Sequence, residues 1–253
     1  MITTGGSSAI GNALAQSLGA SIAVGIGSST PQASDTRLDF EVFRAPVRVR
    51  NYDAATNQLV LAASLPESLD VTIAEVGVYT TNASSSGLMT TFDEVAEAWT
   101  GGTWNSTNAR MGNAALALSG ASATMDGGSS IALSNIRQSD IFQVAAFGAG
   151  GTVEVRVRNS DTDYYRYTFT PAAGYNVSSA PVSSLVKVGN PDLSSVTSLH
   201  IIHSGTGSVQ LDGIRIHVPE EDESLIIRQK FTTPWKKTVG MPLDIEVPLE
   251  INL

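Results

Sequence analysis

The chain has 253 residues, of which 42% are apolar and only 15% charged, with a formal net charge of −9 and no cysteine. That apolar share supports one large β domain or two smaller ones and is too high for a disordered chain. The acidic balance argues against nucleic acid and membrane insertion, because the only basic cluster is Arg44, Arg48 and Arg50. The absence of cysteine excludes disulfides, thiolate metal sites and a Cys nucleophile.

Taken in chain order, residues 7–18 read as a helix, since Ile10, Leu14 and Leu18 recur every fourth position and Gly19 is a natural stop. Residues 21–26 read as a strand, followed by a Ser/Thr/Pro loop over 28–35. Three further strands are expected at 41–50, 58–65 and 71–80, joined by turns at 51–57 and 66–70. Residues 81–87 form a low-complexity link, and 219–224 an acidic one. Between them lie short apolar runs separated by Gly-rich turns, at 114–119, 129–133, 141–147, 152–158, 164–170, 185–188, 198–203 and 208–218. That spacing is the mark of a β-sandwich. Residues 204–207 look like a hairpin turn, across which His203 should pair near Ser208. At the C-terminus, Leu243, Ile245, Val247, Leu249, Ile251 and Leu253 alternate with polar residues. This half-buried strand carries Pro248, which favours an edge position or a bulge, and its apolar face must cover a sheet or another subunit.

Several short motifs at the two ends resemble a group of tailed-bacteriophage tail-fibre and baseplate-associated proteins. They are the run Val24-Gly25-Ile26-Gly27 after the helix, Asp35-Thr36-Arg37-Leu38 with Glu41, and Glu75-Val76-Gly77-Val78-Tyr79. The ending, with Lys237, Gly240, Leu243, Ile245, Leu249 and Ile251, resembles the same group. In that group these halves run together, so the simplest expectation is an inserted domain at a loop tip. The insert in turn resembles galactose-binding-like and carbohydrate-binding-module jelly rolls, through Phe92-Asp93 and the run from Val209 to Ile216. The expected fold is therefore mostly β. A small split β domain with one N-terminal helix (1–87 and 222–253) is interrupted by an inserted antiparallel jelly-roll β-sandwich (88–221).

The resemblance implies a non-enzymatic structural virion protein of a tail fibre, baseplate or neck appendage, assembled in the host cytoplasm and bound to other virion proteins. In it the split domain anchors the chain and the sandwich projects outward. The alternatives are a carbohydrate-binding or host-adhesion module, with a cell-surface glycan as partner, or a capsid decoration protein. The N-terminal residues lack the n- and h-regions of a signal peptide, and no apolar run is long enough to span a membrane. Symmetric phage appendages make a homotrimer the default, with the C-terminal apolar residues as the assembly strand.

Chemistry-bearing clusters are sparse. There is no G-x-S-x-G elbow, and Asp93, Glu94, Glu97, Asp161 and Asp163 give no reason to pair any two as a glycosidase dyad. His200 and His203 are an odd number of residues apart on one strand and point to opposite faces, which speaks against a zinc cluster with His217. A structural calcium ion could use Asp93 and Asp212; no other cofactor is expected. For a ligand, the aromatic residues Trp99, Trp104, Tyr164, Tyr165 and Tyr175 are the candidates. Strand alternation places Tyr165 with Tyr167 on one face and Tyr164 with Arg166 on the other, and one face must be core.

Overall fold

Helix α1 (Thr4–Ser17) begins three residues before the expected start and ends before Leu18; Ile10 of the expected apolar stripe is 40% exposed, and the chain turns at Gly19, whose φ of 71° is open to glycine at little cost. The computed structural model describes residues 4–81, 86–92, 97–126, 137–218 and 223–250. Strands β1 (Ser21–Gly25), β2 (Glu41–Pro46), β3 (Val49–Asp53), β4 (Gln58–Leu65) and β5 (Val71–Tyr79) follow. The stretch 41–50, expected as one strand, is two. Pro46 is the last residue of β2 to pair, and the chain then crosses to another sheet, with Val47 N–H donating to Ala20 and Arg48 N–H to Ala62. Proline lacks the donor that would continue the ladder.

The next twelve strands are β6 (Ser86–Thr90), β7 (Trp99–Thr100), β8 (Thr103–Asn105), β9 (Ala115–Leu118), β10 (Ser122–Asp126), β11 (Ile141–Ala149), β12 (Thr152–Arg158), β13 (Tyr164–Phe169), β14 (Tyr175–Pro181), β15 (Val186–Val188), β16 (Ser198–Ser204) and β17 (Ser208–His217). They make an antiparallel jelly-roll sandwich. One sheet has the order β15-β13-β12-β16-β10-β7, the other β14-β11-β17-β9-β8, with β6 also paired to β17. The alternation in β12 shows why the sheets stack. Val153, Val155 and Val157 are at most 2% exposed and face the core, while Glu154, Arg156 and Arg158 face away. Phe142, Val144, Leu199 and Ile201 meet them from other strands. Each such side chain contributes roughly 1.5–3 kcal/mol by leaving water.

Residues 204–207 do turn the chain, with Gly205 and Gly207 at φ of 100° and 95°. They are not a hairpin, however. β16 pairs with β12 and β10, whereas β17 pairs with β11, β9 and β6, so the turn carries the chain from one sheet to the other. His203 sits opposite Val153, not near Ser208. A glycine-rich turn shows where a chain reverses, but in a jelly roll the strands on either side can belong to facing sheets. The expected strand at 129–133 lies outside the described residues.

Strands β18 (Leu225–Lys237) and β19 (Leu243–Glu250) complete the first unit, giving a four-stranded sheet β18-β5-β1-β2 and a three-stranded sheet β19-β4-β3. The chain thus divides into one unit of residues 1–25, 30–84 and 220–253 and another of residues 26–29 and 85–219. β19 is an edge strand, as Pro248 suggested, and pairs along its length with β4. Ile245, Val247 and Leu249 are buried within the chain and Leu243 is half-buried. Their apolar face is covered by the chain's own fold, which removes the reason for treating them as an intersubunit seam. Ile251 and Leu253 lie outside the described residues.

Candidate functional site

The outward face of the six-stranded sheet gathers the sandwich's most distinctive chemistry. Strand registers set its side chains in rows. In the first, Arg158 lies opposite Tyr164 on β13 and Ser198 on β16, and Val188 flanks Tyr164 on β15. In the second, Arg156 lies opposite Arg166 and His200, with Val186 at one end and Thr124 then Thr100 at the other. In the third, Glu154 lies opposite Thr168 and Ile202. At the usual strand spacing, six strands span about 24 Å, a length suited to an extended ligand.

Glu154, Arg156, Arg158, Tyr164, Arg166 and His200 in these rows are half-buried, and several of them hold one another in place. Arg156 donates its Nε–H to Glu154 at 2.5 Å and lies over the Tyr164 ring, 4.8 Å from its centroid. Arg166 reaches the other Glu154 oxygen only at 3.9 Å. Arg158 donates to Asp161 at 2.7 Å and to the Ser198 hydroxyl at 3.0 Å. Burial, then the charges of Arg158 and Arg156, hold the His200 imidazole below its ordinary pKa, so it stays neutral. Its Nδ1 is shielded from solvent and meets no hydrogen-bond partner. The loop entering β13 is fixed by Asp163, which accepts from Asn190 N–H, Ser160 and Thr162; those bonds lower its carboxyl pKa.

Of the five aromatic candidates, only Tyr164 stands on this face. Trp99 turns inward and stacks on Phe92, with centroids 4.9 Å apart, and its indole N–H donates to Glu97. Trp104 lies opposite the buried Leu116 and packs on the core, as does Tyr165. Tyr175 takes part in a buried polar cluster. Its hydroxyl donates to Asp212 at 2.7 Å while the Arg110 guanidinium lies 3.7 Å above its ring. Sequence reasoning missed Arg156, Arg158 and His200. The signal was present in the alternation of β12, but the pairing of β12 with β13 and β16 was needed to use it.

Asp212 also accepts the backbone N–H groups of Arg110, at 2.7 Å, and Met111, at 3.2 Å. Arg110 in turn donates to the Ile26 carbonyl at 2.6 Å, and Ser28 to the Tyr175 carbonyl, which ties residues 26–29 into this unit. Burial drives the Asp212 carboxyl up to about 7, against the pull of its hydrogen bonds. A carboxylate ringed by donors is shaped for a proton or for those N–H groups. A calcium ligand would instead direct its lone pairs to a cation, so Asp212 does not fit that role; Asp93 lies outside the described residues. Among the described residues no group of three or more His, Asp or Glu side chains could hold a metal ion.

The first unit carries two buried ion clusters. Arg228 pairs with Asp35, Asp39 and Glu75 at 2.7–2.9 Å, and Glu75 also accepts the N–H groups of Asp39 and Phe40. Arg44 pairs with Glu41 and Glu223 and lies 3.7 Å above the Tyr79 ring. Arg44 is therefore buried, whereas Arg48 is exposed; Arg50 donates to the Gly19 carbonyl.

No protein-family model and no curated protein matches the chain. Similar solved structures include the family 11 carbohydrate-binding module of a cellulosomal cellulase of Clostridium thermocellum. It is 12% identical over 54% of this chain and 96% of that one, with a TM-score of 0.41. A family 30 carbohydrate-binding module is 16% identical over 63% and 99%, with a TM-score of 0.36. The enzymatically active domain of tailspike protein 4 of bacteriophage CBA120 is 17% identical over 57% of this chain but 21% of that one, with a TM-score of 0.27. These are distant likenesses, and the character of the site rests on its own residues.

Proposed function

We propose that the sandwich is a carbohydrate-binding module whose ligand lies on the outward face of the six-stranded sheet. The observation that carries this reading is the set of rows around Tyr164. A single aromatic ring, three arginines, a carboxylate and a neutral imidazole share a half-exposed sheet face, held by their own ion pairs. An aromatic ring bordered by fixed donors and acceptors for hydroxyl groups is what saccharide recognition requires. Carbohydrate is also the ligand class named for the family 11 and family 30 modules. A glycan array read with the whole protein and with Tyr164→Ala tests it. Binding weakened about fivefold or more in the variant, at unchanged melting temperature, supports the reading; binding that survives in full contradicts it.

A second reading, that the first unit attaches the chain to a phage particle, draws on one observation. The motif residues meet inside that unit. The Tyr79 hydroxyl accepts the Leu38 N–H, Glu75 and Asp35 share Arg228, and a Cβ at Gly25 would lie 2.6 Å from Glu75. The three motifs are thus parts of one support. Detection of the chain in purified tail particles would favour this role, and its consistent absence from them would remove it.

A further inference from the structure

We infer that the saccharide taken by this face is anionic, a polysaccharide bearing uronate carboxylates. The inference rests on the carbohydrate-binding reading and names its ligand class.

Arg156 and Arg166 lie directly opposite one another on neighbouring strands of the same face, and Arg158 is two residues from Arg156 on that face. Like charges directly opposite in a sheet repel, so such a pair stands only where something offsets it. Within the chain, Glu154 is shared between the two, 2.5 Å from Arg156 but 3.9 Å from Arg166. Asp161, which meets Arg158, stands at the rim with its side chain 89% exposed. The Arg166 guanidinium therefore keeps most of its five N–H donors for a partner outside the chain. Arginine presents those donors as a planar fork that matches a carboxylate with two parallel hydrogen bonds.

The setting reinforces the choice. The chain as a whole carries a net charge of −9, so three arginines converging on one sheet face run against its general charge. His200, next to Arg156 in the same row, is kept neutral by burial and by the two nearby guanidinia. A neutral imidazole offers hydrogen bonds to sugar hydroxyls without adding to the repulsion. Tyr164, which borders the arginines, supplies the apolar platform for the sugar ring. One face thus holds a ring-stacking surface and an unfilled carboxylate fork side by side.

The test is calorimetric titration of the whole protein with polygalacturonate, mixed-linkage β-glucan and dextran sulfate, near 0.15 M salt, where long-range attraction is largely screened. The variants are Arg166→Gln and Arg166→Lys, each checked for an unchanged melting temperature. The expected result is polygalacturonate binding at least tenfold tighter than the neutral glucan. Arg166→Gln should lower it about tenfold, with partial retention in Arg166→Lys, which keeps the charge and loses the fork. Equal or tighter binding of the neutral glucan, indifferent to Arg166, would overturn the uronate assignment and leave the carbohydrate reading standing. Equal binding of dextran sulfate would reduce the face to a general polyanion surface and overturn it too. Failure of all three polysaccharides to bind would end both readings.

Discussion

Tyr164 and Asp212 both sit on strands of the sandwich, yet their environments set them opposite tasks. Tyr164 is half-exposed beside Arg156, so removing its ring takes away a stacking surface without opening the core. Tyr164→Ala should weaken saccharide binding by about 1 kcal/mol, roughly fivefold or more, and leave thermal unfolding unchanged. Asp212 is buried, and its carboxyl rises from an ordinary value of 3.8 to about 7. Because the folded state holds this proton more tightly than the unfolded chain, its contribution is fully present below about pH 4. It is lost as the pH climbs toward 7, up to about 4 kcal/mol in all. Asp212→Asn should flatten that part of the stability curve, as chemical unfolding between pH 4 and 8 would show. A wild-type protein growing steadily more stable across that window, with the variant following it, would contradict this assignment. Glu75 behaves similarly in direction, since burial raises its carboxyl above the usual range, but here Arg228 stands against it. Arg228→Met would leave Asp35, Asp39 and Glu75 without their shared cation, and should cost the first unit roughly 3–5 kcal/mol.

At the level of elements, the strands that could be read from sequence were those whose alternation is long. The bounds of β4 emerged as expected, and β12 and β19 followed their apolar rhythm. Where a strand is two residues long, as at Trp99–Thr100, there is no rhythm to read. The ring of Trp99 then looked available when it is stacked on Phe92. β14 was missed because its sequence of Asn, Ser and Pro lacks apolar alternation, although it pairs along its whole length with β11. The ion clusters were invisible for another reason. Glu75 and Arg228 are 153 residues apart, and only the assembled sheet β18-β5-β1-β2 brings them together. The site itself was half legible. The shared face of Tyr164 and Arg166 follows from strand alternation, but the adjacency of Arg156 and His200 depends on register.

In β19, Ile245, Val247 and Leu249 are buried against the chain's own sheets, and eight residues pair with β4. Deleting residues 243–253 should therefore destabilise the first unit, seen as loss of a cooperative transition in calorimetry, with the sandwich transition retained. A truncated protein that keeps both transitions and merely changes mass in light scattering would restore the view of β19 as an assembly strand.

Taken as a whole, the molecule joins two structures of different character. The first unit is closed around buried ion clusters and its own C-terminal strand, a construction that resists change at its centre. The sandwich has an apolar core and a polar outward face on one sheet, with its charged groups arranged by register across several strands.

The claim that saccharide lies on the outward face of the six-stranded sheet is tested most directly by mapping backbone amide shifts. The isotope-labelled protein would be titrated with a galacturonate oligosaccharide and with a mixed-linkage glucan oligosaccharide. Shifts confined to Arg156, Arg158, Tyr164, Arg166, His200 and their strand neighbours are the predicted result. Shifts centred on the other sheet, on the first unit, or nowhere with either sugar would contradict it.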